Sequence, residues 1–129
     1  MTLVIDSSVW IEWLTKTDLG RMLNPQIPDI TDCIIPTIVQ LEVLKWLERE
    51  RGSSEARTFL AYSTFGQVVV LDTSVAKEAA RLSLEFKLAT ADAIIYATAR
   101  LQDADLLTCD AHFESLPHVT YVPKPEAKR

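Results

Sequence analysis

The sequence predicts an α/β fold, with a mostly parallel central sheet covered by helices on both faces in three layers. Three observations carry that prediction. Short apolar, β-prone runs alternate along the chain with stretches of helical spacing. Most of these runs end in residues suited to start the next helix. Finally, 48% of the 129 residues are apolar, enough for one core in a chain too short for two ordinary domains. Alternating strands and helices imply right-handed crossovers, and sites in such folds gather beyond the carboxyl ends of the strands. Residues 1–129 are therefore read as a single domain, with 124–129 as a solvated tail.

Thr2–Ile5 is the first β-rich run, ended by Asp6, and Ser7 and Ser8 precede a helix through Val9–Leu14. Cys33–Ile35 reads as a buried strand. Pro36 and Thr37 start a helix from Ile38 to Arg51, which Gly52 terminates. Ser53 opens a further helix running to about Phe65, and Gln67–Leu71 is the third strand. Asp72, Thr73 and Ser74 cap a helix from Val75 to about Lys87. After the loop Leu88–Thr90 comes an alanine-dense helix, Ala91–Leu101. Asp105–Thr108 is the fourth strand and Thr120–Val122 a short last one before Pro123. No repeat, low-complexity stretch or linker divides the chain.

The formal net charge of −5 argues mildly against a nucleic-acid partner, since such proteins usually present a basic stripe. Clustered acids that hold divalent cations would reverse the local field and remove that objection. Cys33 and Cys109 have neither CxxC spacing nor a nearby histidine, so they read as buried, reduced thiols. Leu3–Ile5 stops too soon for a signal-peptide core, and no stretch reaches the length of a membrane span. A cytoplasmic protein is expected.

Most acids, such as Glu48, Glu50, Glu55, Glu78, Glu85, Asp103 and Glu126, lie among polar neighbours and read as a solvated face. Four do not. Asp6 and Asp110 each follow an apolar strand, where a helix cap and a site residue are both open readings; Asp72 repeats the pattern but fits a cap. Glu42 has Ile38, Val39 and Trp46 at helical spacing, which puts a carboxylate on an apolar stripe where lost hydration must be compensated. Asp92 lies in the first turn of the alanine-dense helix. It could complement the helix dipole there, although the alanines suggest an interior helix. Four carboxylates gathered at one sheet edge repel one another unless a divalent cation sits among them. Oxygen-only ligands suit Mg²⁺ or Mn²⁺, and such a site suits phosphodiester hydrolysis.

The segments Val4–Val9, Gln40–Leu44, Leu88–Ala97 and Leu107–Phe113 resemble, in order and spacing, the four motifs of PIN domains. The likeness spans nearly the whole chain, and its third motif is the most specific. The resemblance implies a three-layer α/β/α fold in which Asp6, Glu42, Asp92 and Asp110 bind one or two Mg²⁺ or Mn²⁺ ions and cleave RNA. It also implies that Ser8 and Thr108 orient these carboxylates by hydrogen bonding. Size and motif style are most similar to VapC toxins, which implies a homodimer held inactive by a cognate antitoxin. Some relatives carry a further acid two positions after the fourth. Here that position is His112, and Glu114 is the substitute ligand the sequence offers.

Other readings fit less well. Dehalogenase-like phosphatases need an aspartate two residues after the first, where Ser8 stands here, and a receiver domain needs an acid beside Asp6 and a late lysine. A binding module without cleavage activity is the remaining alternative, but all four acids are kept. Trp10, Trp13 and Trp46 could stack on RNA, although aromatics at helical spacing more often serve a core or a dimer interface.

Overall fold

The computed structural model describes residues 2–125. Five parallel strands form one sheet: β1 (Leu3–Ile5), β2 (Cys33–Pro36), β3 (Gln67–Val69), β4 (Asp105–Thr108) and β5 (Val119–Tyr121), in the order β3-β2-β1-β4-β5. Six helices flank it: α1 (Ser7–Leu14), α2 (Asp18–Leu23), α3 (Thr37–Glu50), α4 (Ser53–Ser63), α5 (Thr73–Phe86) and α6 (Thr90–Leu101). From β1 the chain steps outward to β2 and β3, then crosses back to β4 on the other side of β1. Right-handed crossovers in opposite directions put α1–α4 on one face and α5–α6 on the other. The reversal between β1 and β4 is the switch point at which such sheets open a crevice.

The core follows from the sequence pattern. Val4, Ile5, Ile34, Ile35, Leu106 and Leu107 are almost fully buried, as strands covered on both faces require. Val39, Val43 and Leu47 form the inward stripe of α3, and α6 is buried continuously from Ala93 to Ala99. The alanines of α6 let it pack closely into the sheet, so it is the interior helix the composition implied. Both cysteines are free and buried.

Several boundaries differ from expectation. β3 ends at Val69, whose partner Pro36 is the last residue of β2; beyond it the chain of β2 turns into α3, so Val70 and Leu71 have no ladder to join and stay half exposed. β5 begins one residue earlier than expected, though Val122 N–H still donates to Thr108 O (2.9 Å). The helices α5 and α6 begin at Thr73 and Thr90, because Asp72 caps the first through Val75 N–H (2.9 Å) and Ala89 leaves the second in extended geometry.

The helix α2 was not expected at all. Thr17 caps it by accepting from Gly20 N–H (3.0 Å), and Leu19 and Leu23 are buried beneath it. Gly20, which hides the helical pattern in the sequence, is the residue that lets α2 dock, since a Cβ there would lie 2.1 Å from Glu12 O. Gly52 stops α3 as expected, with φ at 99°. Of the tail expected at 124–129, Lys124 and Pro125 are exposed, and 126–129 lie outside the described residues.

Candidate active site

The carboxyl ends of β1 and β4 lie side by side, because Ile5 pairs with Leu107 and Asp6 N–H donates to Leu107 O (2.9 Å). Asp6 leaves β1 in extended geometry and occupies the cap position of α1, yet its side chain caps nothing. Its Oδ2 instead accepts from Ser8 Oγ (2.6 Å) and Thr108 Oγ1 (2.9 Å). The same hydroxyls bind the other strand end: Ser8 Oγ accepts from Cys109 N–H (3.1 Å) and Thr108 Oγ1 from Asp110 N–H (2.9 Å). Asp6 is only 4% exposed, and both side-chain donors fall on one of its oxygens.

Glu42 is not in the middle of the buried stripe of α3, as its spacing suggested. It lies on the flank of that stripe, half-buried beside Val39 and Val43. Its Oε1 accepts from Ser7 Oγ (2.7 Å). Ser7 is a site residue that sequence reasoning missed. In the sequence it is one of two serines preceding a helix, and a bond spanning 35 positions leaves no local signal.

Asp92 is in the first turn of α6 and Asp110 follows β4. Asp110 caps a single 3-10 turn, Ala111–Phe113, by accepting from His112 N–H at Oδ1 (2.9 Å). That turn raises the His112 imidazole between the two acids, with Nδ1 3.3 Å from Asp92 Oδ2 and 3.3 Å from Asp110 Oδ1. Asp92, Asp110 and His112 each offer a ligand atom within 4.8 Å of the others'. Asp6 and Glu42 are not among this group, and neither is Glu114, which is exposed.

Electrostatics tie the four acids together. Burial pushes the Asp6 carboxyl above the usual carboxylate range, against the pull of Ser8 and Thr108, and Asp110 raises it further. Glu42 is raised by burial and by Asp6, Asp92 and Asp110, with Ser7 opposing. Asp92 is raised by burial and by Asp110 and Asp6, with His112 opposing. Among the described residues no lysine or arginine forms an ion pair with any of the four. Such an arrangement is short of positive charge, and its oxygen donors fit a hard divalent cation.

Beside Glu42 runs an open groove of about 420 Å³, walled by Ser7, Ile38, Glu42, Lys45, Trp46 and Arg49 among others. Of the three tryptophans, Trp10 is in the core against Phe59. Trp13 stacks on Tyr62 at a centroid distance of 6.0 Å. Trp46 is half-buried on this groove.

The family model of the PIN domain matches residues 3–119. A comparison with curated proteins finds no match. Among solved structures, a toxin–antitoxin complex from Klebsiella pneumoniae contains a chain 21% identical, with a TM-score of 0.80 over 92% of this chain and 96% of that one. A DNA-bound VapBC complex from Salmonella typhimurium is similar at 15% identity and TM-score 0.72, covering 95% and 98%. A VapC toxin of Mycobacterium tuberculosis that cleaves the sarcin–ricin loop follows at 19% and 0.66, covering 81% and 87%.

Proposed function

The chain belongs to the PIN-domain family, and from that premise we propose that it is a divalent-metal-dependent endoribonuclease acting as the toxin of a toxin–antitoxin pair. The observation that carries the reading is the set of four carboxylates, Asp6, Glu42, Asp92 and Asp110, electrostatically coupled without a lysine or arginine partner among the described residues. These four residues would hold one or two Mg²⁺ or Mn²⁺ ions. When bound, the cation supplies Lewis-acid stabilisation of phosphoryl oxygens and acidifies water. Ser8 and Thr108 fix Asp6 in one orientation, and Ser7 does so for Glu42.

RNA as substrate is supported by the groove at Glu42. It places Lys45 and Arg49 one helical turn apart beside Glu42, with Trp46 also on its wall. Cations for phosphates and an aromatic face for an unstacked base are what single-stranded RNA requires. The bulk charge of −5 is thus no obstacle, because the local charge pattern is what a substrate meets. Action in the cytoplasm is consistent with two free, buried thiols. No helix among the described residues is long and apolar enough to cross a membrane.

A cognate antitoxin would silence the site by inserting an arginine or lysine among the acids, replacing the metal's charge. The similar chains from toxin–antitoxin complexes support such a partner. A homodimer is supported by an apolar strip on α5 and α6, where Ala76, Ala80, Leu84 and Ile94 line a depression of about 520 Å³ and Leu84 is 85% exposed.

Purified protein should cut structured RNA with Mg²⁺ or Mn²⁺ and stop in EDTA, and Asp92→Asn should lower cleavage by about 10³-fold or more, as loss of an essential charged group does. Co-purified antitoxin should suppress it. Undiminished cutting in EDTA would refute the metal-dependent reading, and full activity in the antitoxin complex would refute the masking of the site.

A further inference from the structure

Where the PIN-type site of some relatives offers another carboxylate, this chain presents an imidazole. We propose that His112 Nδ1 is a ligand of the metal centre beside Asp92 and Asp110, making it a mixed oxygen–nitrogen site that favours Mn²⁺ over Mg²⁺. The inference rests on the metal-dependent reading above and deepens it.

Three features support the role. The first is how the residue is held. Phe113, fully buried, anchors the Ala111–Phe113 turn, and Asp110 Oδ1 accepts His112 N–H, so backbone and core together hold the imidazole over the acids. The second is distance. Nδ1 lies 3.3 Å from one oxygen of each aspartate, longer than the roughly 2.7–2.9 Å of a charge-assisted hydrogen bond. Two neighbouring ligands of an octahedral ion, each about 2.1 Å from it, lie about 3.0 Å apart. The separations are long for such a hydrogen bond and close to the spacing of neighbouring ligands on one ion. The third is contrast. The chain's other histidine, His118, meets one carboxylate, Asp105, at 3.4 Å, and among the described residues it belongs to no group of ligand atoms that could hold a cation.

The preference for Mn²⁺ follows from ligand chemistry. Mg²⁺ is a hard cation that takes oxygen and dehydrates reluctantly. Mn²⁺ accepts the same carboxylates and is less averse to imidazole. The His112 side chain is 72% exposed and Asp110 33%, which leaves the remaining coordination positions to water and substrate.

The test uses the full chain, free of antitoxin, with Mn²⁺ and Mg²⁺ as the probes. Pulsed electron paramagnetic resonance of the Mn²⁺-loaded protein should reveal nitrogen hyperfine coupling, and His112→Ala should lose it. Calorimetric titration of His112→Asp should show the ratio of Mn²⁺ to Mg²⁺ affinity falling by about tenfold, the lower end of what altering a metal site's supporting groups usually costs. His112 is exposed, so neither variant disturbs the core. Bound Mn²⁺ without nitrogen coupling, or an unchanged ratio in His112→Asp, would overturn the role of His112 and leave the acid site standing. No Mn²⁺ binding at all, or binding untouched by Asp92→Asn, would overturn the metal-dependent reading itself.

Discussion

At the scale of single residues, the site combines groups that carry charge with groups that only hold them. Asp6 is deeply buried and still receives two hydroxyl hydrogen bonds, which oppose its protonation. Glu42 and Asp92 keep more contact with solvent but feel their acidic neighbours. The folded-state pKa values of Asp6, Glu42 and Asp92 all lie above their unfolded values, so without metal the native state binds more protons than the unfolded chain. The sign of linkage is then fixed: apo stability rises as pH falls from neutral through those raised values, and the gain is complete only below the unfolded values near 4. Glu78, whose carboxyl is lowered by Arg81, opposes this at the acid end. Asp92→Asn removes one repelling charge at nearly constant shape. In EDTA at pH 7.5 it should melt at the parent's temperature or on the order of 3 °C higher, equivalent to about 1 kcal/mol for a domain of this size, with a flatter dependence on pH. It should also lose most of the stabilisation that Mn²⁺ gives the parent. A variant destabilised in EDTA yet fully stabilised by metal would make Asp92 a structural residue of α6.

At the scale of elements, the site depends on how helices are delivered to the sheet. The helix α1 starts at the end of β1 without a side-chain cap from Asp6, which frees that carboxylate for Ser8 and Thr108. The far end of α1 is braced by α2, through the close approach at Gly20. Adding a methyl group at Gly20 would force it onto Glu12 O, a backbone atom that cannot yield without moving α1. Gly20→Ala should therefore cost about 2–3 kcal/mol, as overpacking does. Gly52→Ala meets open space and should cost only about 1 kcal/mol, from its positive φ. Urea titrations of the two variants compare them directly; equal losses would mean that the packing of α2 on α1 contributes little.

At the scale of the whole molecule, the topology brings the strand-end acids to one edge and leaves an apolar strip on α5 and α6 exposed. The strip on α5 and α6, with Leu84 at its most exposed point, is the surface we assign to the second copy. Leu84→Lys should raise the dimer dissociation constant by about 30-fold or more, since an apolar anchor at an interface is worth about 2 kcal/mol. Sedimentation of parent and variant over a range of concentrations measures it. A parent that is monomeric throughout, or a variant that dimerises as well as the parent, would assign that strip another role.

What the sequence determined by itself is local or periodic. The alternation of apolar runs with helical stretches specified the α/β class. Gly52 and Asp72 marked a helix stop and a helix start by their own backbone chemistry, and the order of the four acid-bearing motifs pointed to the PIN family. Tertiary structure decided what depends on neighbours distant in the chain. Val70 and Leu71 have strand composition but no strand, because the edge strand's only partner ends at Pro36. The helix α2 exists because Glu12 leaves room for Gly20 and nothing larger. Glu42 has the spacing of a buried residue, yet Ser7, 35 positions away, defines its surroundings. His112 faces Asp92 across a turn that no periodicity encodes. Helical and strand periods report which side of an element is apolar; which donor, acid or edge lies opposite is set by how the elements pack.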